Sequence, residues 1–130
     1  MADPSTLPGV LWAYLMERFP PAATLLYAAA LFYASWGFAG TMPDAGPARV
    51  LPSVAGAGIF FLALLHVRLM DEHKDYQDDL AAYPQRLLSR GVVTLAQLRG
   101  FLLVVLAAEA RLAVAPGVQA FAVWPLLPGV

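Results

Sequence analysis

The sequence predicts an all-α fold, a polytopic transmembrane helical bundle of three to four spans, on three observations. Of the 130 residues, 60% are apolar and 13% charged. A soluble domain carries about 25% charged residues, so charge alone does not keep this surface wet. Two runs, 22–40 with no charge and 51–70 with His66 and Arg68 near its end, each approach the ~20 residues that cross a ~30 Å hydrocarbon core at ~1.5 Å per residue. Finally, Asp71-Glu72-His73-Lys74-Asp75-Tyr76-Gln77-Asp78-Asp79 holds five of the nine acidic side chains and directly follows the second run.

Composition removes several functions. The net charge is −1 with eight Lys plus Arg, so there is no basic field for nucleic acid. Cysteine is absent, which removes disulfides, thiolate metal sites and Cys nucleophiles together. The first residues lack a positive stretch followed by an apolar one, so no cleavable signal peptide is expected.

Residues 1–21 are expected to form a tail and an interfacial helix. Residues 1–10 are punctuated by Pro and Gly and predict an irregular tail. Residues 11–19 mix Trp12, Tyr14 and Phe19 with Glu17 and Arg18. That pattern fits an amphipathic helix at the headgroup level and equally a plain helical lead-in to the first span. After Pro20-Pro21 the transmembrane region, 22–130, begins. Its first span, about 22–40, carries Ala28, Ala29, Ala30, Ala34, Ser35 and Gly37, small residues that let neighbouring helices approach. A turn-rich loop with Pro43, Asp44, Gly46 and Pro47 follows.

The second span, about 51–70, is expected to continue as helix to residue 83, because nothing breaks it before Pro84. Residues 85–91 are a connector, and Thr94 is placed to cap the third span, about 95–115. Glu109 and Arg111 inside that span are costly in lipid and should face the bundle interior or the interface. A fourth apolar run, 118–130, is broken by Trp124-Pro125 and Pro128-Gly129 near its end. From Arg68 near the end of the second span to Arg99 near the start of the third lie Arg68, Lys74, Arg86, Arg90 and Arg99, against Arg49 in the opposite loop. The positive-inside rule therefore places the acidic loop, 71–94, and the N-terminus in the cytoplasm of a multi-pass integral membrane protein.

On a helix, successive residues advance by ~100°, so Asp71, Glu72, Asp75, Asp78 and Asp79 would share one face. Their repulsion calls for a positive partner. Mg²⁺ suits the role, since it takes oxygen ligands and is commonly held by one or two carboxylates plus substrate phosphates. A diphosphate leaving group bridged by the metal would have its developing charge neutralised.

Asp71-Glu72-x-x-Asp75-x-x-x-Asp79 resembles the first aspartate-rich motif of the UbiA superfamily of intramembrane prenyltransferases, usually Asn-Asp-x-x-Asp-x-x-x-Asp. Pro84-Gln85-Arg86-Leu87-Leu88-Ser89-Arg90-Gly91-Val92-Val93-Thr94 resembles the Arg-Pro-Leu-x-x-Gly-x-Ile-Ser stretch that follows it in that family. The resemblance implies Mg²⁺ held by Asp71, Glu72, Asp75 and Asp79 against a prenyl diphosphate. In it, Asp71, Asp75 and Asp79 are the catalytic carboxylates, and Arg86 contacts the diphosphate or anchors the loop; Lys74 and Arg90, by their charge and place beside the motif, are further candidate diphosphate contacts. Lys74 has a commoner use as the i, i+4 partner of Asp78.

The sequence departs from the family in Asp71-Glu72 for Asn-Asp and in Leu87 for proline. The acids outside the cluster, Asp3, Glu17, Asp44 and Glu109, form no second Asp-x-x-x-Asp. The expectation is an incomplete part of a larger prenyltransferase bundle: an N-terminal portion, inactive alone, whose partners are the bilayer, a prenyl diphosphate, an acceptor, and the missing C-terminal half or another subunit.

Three other readings compete. CDP-alcohol phosphotransferases also place Asp-x-x-x-Asp beside a membrane, but their Asp-Gly-x-x-Ala-Arg is absent. His66 and His73, seven apart, invite haem or zinc, yet there is no further His or Cys to complete such a site. The rival class is a small non-enzymatic helical membrane protein whose acidic patch is a cytoplasmic cation-binding or interaction surface. Tyr76 and Tyr83 fit the mouth of a substrate cavity or interfacial anchoring.

Overall fold

The structure, a computed structural model, describes residues 5–41, 43 and 50–114. Its elements are all helices: α1 (Leu7–Arg18), α2 (Pro21–Ala39), α3 (Val50–Lys74), α4 (Tyr76–Ala82) and α5 (Leu95–Ala113), with no strand among the described residues.

Helix α1 begins four residues earlier than the sequence pattern predicts. The Thr6 side chain accepts from the Gly9 N–H at 3.2 Å, and Pro8 sits in the first turn, where its missing N–H costs nothing. The expected irregular tail is thus partly helix. Pro20 closes α1 from α2 and Pro21 opens the next helix.

Helix α3 is the one on which both long neighbours pack. Gly56 and Gly58, ~200° apart on the helix, mark the two contacts. A Cβ on Gly56 would lie 2.6 Å from the Phe32 ring of α2, and one on Gly58 would lie 3.3 Å from Leu112 of α5. On α2, Ala28 is fully buried, whereas Gly37 faces open space. Only part of the small-residue stripe is used for close approach.

The apolar core lies at the acidic end of α3. Val10 and Tyr14 of α1 and Phe19, which caps it, pack with Leu65 and Leu69 of α3, Leu88 and Val93 of the connector, and Leu98 and Val105 of α5. Elsewhere the long helices turn apolar side chains outward, as in Leu26 at 74% and Phe38 at 70% exposure on α2 and Val104 at 65% on α5. Two helices are long and apolar enough to cross a membrane, α2 and the Ser53–Lys74 part of α3. Helix α5 reaches a similar length but carries Arg99, Glu109 and Arg111, and the fourth run, 118–130, lies outside the described residues.

The continuous helix expected through residue 83 is interrupted at Asp75, whose φ of −98° and ψ of 12° lie in the bridge region. Beyond α4, the connector folds back on itself in a series of turns. The N–H groups of Arg90, Gly91 and Val92 donate to the carbonyls of Arg86, Leu88 and Leu87. Gly91 has φ +78°, a left-handed conformation that glycine adopts without steric penalty. Thr94 caps α5 in a reciprocal box with Gln97, the two bonds measuring 3.2 and 3.0 Å.

Candidate functional site

Glu72 lies at the end of α3 with its side chain turned inward and only 2% exposed. Arg18 Nε donates to Glu72 Oε1 at 2.8 Å, and Tyr14 donates its hydroxyl proton to the same oxygen at 3.3 Å. Burial, then the Glu72 charge and this hydrogen bond, raise the Tyr14 phenol well above its usual pKa, so it remains a donor. Burial acts to lower the Arg18 pKa, but the bond to Glu72 and its charge outweigh that and raise it.

Asp71, one residue earlier, looks elsewhere. It lines an open cleft of about 320 Å³ with Arg18, Tyr27, Leu64, Val67 and Arg68. On α3 the spacing of Leu64, Val67, Arg68 and Asp71 is that of one helix face. The cleft is therefore apolar toward the middle of α3 and charged at its end. Neither Asp71 nor Arg68 forms an ion pair with another described residue.

Asp75 sits at the interruption between α3 and α4, nearly half exposed, with Lys74 Nζ at 3.8 Å. Asp78 is exposed in the first turn of α4, and Lys74, expected beside Asp78, contacts Asp75 instead. The helix breaks between the two positions, so the regular i, i+4 relation is lost.

Asp79 brings the two predicted motifs together. Its Oδ2 lies 3.2 Å from Arg86 Nη1, and the Arg86 guanidinium lies 3.6 Å above the centre of the Tyr83 ring. The connector is tied to α1 as well, since the Leu87 N–H donates to both carboxylate oxygens of Glu17 at 3.2 Å. Arg90 is exposed and joins the site through its backbone, its N–H bonding the Arg86 carbonyl at 2.9 Å.

The two histidines do different things. His66 Nδ1 meets Glu109 Oε2 of α5 at 3.1 Å, while Arg111 is exposed. His73 Nδ1 bonds the Leu69 carbonyl at 2.7 Å, and its Nε2 is buried without a hydrogen-bond partner.

The acids expected on one face are thus divided among three surroundings. Glu72 faces α1, Asp71 faces the cleft beside α2, and Asp79 faces the connector. Among the described residues, no three His, Cys, Asp or Glu side chains converge in a group suited to a metal ion. Asp71 and Asp78 form no ion pair with another described residue, and Asp75 meets only Lys74 at 3.8 Å.

Sequence reasoning placed Arg86 beside the acidic segment but missed Tyr14, Glu17 and Arg18. A signal did exist. An acid in the last turn of α1, where the helix dipole disfavours it, implies a tertiary partner, and an acid on the core side of α3 requires a cation. No known protein family, curated protein or solved structure matches this chain.

Proposed function

We propose that the chain provides one acidic half-site of a Mg²⁺-dependent membrane prenyltransferase, and that it binds a prenyl diphosphate at the cytoplasmic end of a multi-pass bundle. The observation that carries this reading is the Asp79–Arg86 pair at 3.2 Å. It brings an acid and a guanidinium together beyond the end of a helix long and apolar enough to span, so that one carboxylate for a cation and one cationic group for a phosphate stand at the same place. The resemblance of both segments to the UbiA motifs supports the same reading. So do Arg68, Lys74, Arg86, Arg90 and Arg99, which run from the end of α3 into the start of α5 against Arg49 on the other side and favour a cytoplasmic position for this end.

Asp71 and Asp75 fit a hard cation, because their oxygens are accessible and at most weakly paired. Asp79 would join them on leaving Arg86, and Arg86 would then be free to hold a phosphate, with Lys74 and Arg90 nearby in the chain. When bound, Mg²⁺ supplies charge neutralisation at the leaving diphosphate. Glu72 is held internally and serves as a structural anchor in this proposal. A second motif, from a further segment or another subunit, would complete the site.

The rival reading, a non-enzymatic helical protein with an acidic cytoplasmic surface, draws on Asp78 and Lys74, which point to solvent. Calorimetric titration of the protein in detergent micelles with a non-hydrolysable prenyl diphosphate analogue separates the two. The prenyltransferase reading requires Mg²⁺-dependent binding that Asp75→Ala abolishes. Binding indifferent to both metal and Asp75, or no binding at all, leaves the interaction surface.

A further inference from the structure

The two charged residues that end α1 each reach a different part of the acidic site. Arg18 bonds Glu72, 54 residues away, at the end of α3. Glu17 accepts the N–H of Leu87, 70 residues away, in the connector that presents Arg86. Neither contact is local, and one turn of α1 makes both. Tyr14 of the same helix and Phe19, which caps it, are buried in the core that also takes Leu69, Leu88 and Val93, so an apolar contact accompanies the polar ties.

Glu17 is the informative residue. It is exposed, and the C-terminal turn of a helix is electrostatically the wrong place for a carboxylate. Its placement makes sense through the Leu87 amide, which without it would have no partner among the described contacts. The Asp79–Arg86 ion pair ties the connector to α4 and the turn bonds tie it to itself, whereas Glu17 is the polar tie between the connector and α1 among the described contacts.

We infer that α1 is a positioning strap: Glu17 and Arg18 hold the basic connector against the acidic end of α3, so that Arg86 and Asp79 face one another, with Glu72 as the anchor of the strap. What the positioned groups bind rests on the diphosphate reading above; the strap itself does not. Glu17 and Arg18 act in this proposal as positioning residues, through Leu87 and Glu72.

The test uses the full chain in detergent micelles, with hydrogen–deuterium exchange at Leu87 and calorimetric binding of a prenyl diphosphate analogue with Mg²⁺. Glu17→Ala is expected to speed Leu87 exchange and weaken analogue binding, each by about tenfold, with helical circular dichroism unchanged. Glu17→Gln keeps an acceptor oxygen and is expected to restore both. The strap is overturned if Leu87 exchange in Glu17→Ala matches the parent, or if exchange rises while affinity holds. A parent protein that does not bind the analogue sinks the diphosphate reading alone. The strap then stands if exchange at Leu87 is fast in Glu17→Ala and slow in Glu17→Gln, and falls if the two agree.

Discussion

Arg18 and Glu72, 54 residues apart in sequence, meet at 2.8 Å, with the Glu72 side chain 2% exposed and the Tyr14 hydroxyl on the same carboxylate oxygen. The contact fastens a helix that precedes the first candidate span to the acidic end of the second. Removing either charge strands the other in a poorly solvated place. Arg18→Met should destabilise the protein by about 3 kcal/mol. Arg18→Met with Glu72→Met should cost less than the sum of the two single changes, because no charge is left buried. Thermal unfolding in micelles, followed by circular dichroism, measures both, and additive losses would contradict the pairing.

Tyr14 makes α1 docking sensitive to alkali. Its pKa is raised by burial first, then by the charge and hydrogen bond of Glu72, so the folded protein keeps the phenol neutral while the unfolded chain ionises near pH ~10. Stability from this group is complete below that pH and falls as pH rises through and above it. The phenolate absorbance of Tyr14 should appear only with loss of structure. Tyr14→Phe should unfold at a lower temperature at neutral pH and show a smaller further loss above pH ~10.

The Asp79–Arg86 pair competes with both proposed ligands. Arg86→Met removes the guanidinium that occupies Asp79, so Mg²⁺ alone should bind roughly fivefold more tightly. The same variant should lose the gain in metal affinity that a prenyl diphosphate analogue provides. Calorimetry with metal alone and with metal plus analogue reads the two effects separately. A variant weaker in both would show that Arg86 supports the fold without opposing the cation.

Gly56 is the close approach between α2 and α3. A methyl group there meets the Phe32 ring, which is itself stacked on Trp36 with centroids 5.8 Å apart and set edge-on to Tyr33 at 5.3 Å. Gly56→Ala should therefore cost about 1–3 kcal/mol through overpacking, read as a lower unfolding temperature in micelles. Gly37→Ala, which meets nothing within 4 Å, should be neutral or slightly stabilising.

Across α3 and α5, the His66–Glu109 contact at 3.1 Å accounts for an acid expected to face the bundle interior or the interface. Glu109→Ala should weaken that helix pair by about 1–2 kcal/mol, whereas Arg111→Ala, at an exposed position, should change stability little. Unfolding in micelles distinguishes the two positions.

Elements governed by local chemistry were legible in the sequence. Thr94 caps α5, Pro20 and Pro21 separate α1 from α2, and both candidate spans fall where the apolar runs lie. The helix across 71–83 was misread at one residue, because Asp75 carries no Pro or Gly to mark the interruption. The facing of Asp79 and Arg86 agrees with the adjacency of the two motifs in the chain. The partners of Glu72 and of the Leu87 amide did not declare themselves, since both come from α1, more than fifty residues away.

The sequence by itself determined that the chain is helical and apolar, and that five acids follow its second long run. Periodicity, run length and capping residues act within a few positions of one another, so they can be read along the chain. The tertiary structure decided how those acids are divided: Glu72 into the α1 interface, Asp71 toward the cleft and Asp79 onto Arg86. A carboxylate's role depends on which charges and donors the fold brings within about 3–4 Å, and only packing sets those distances.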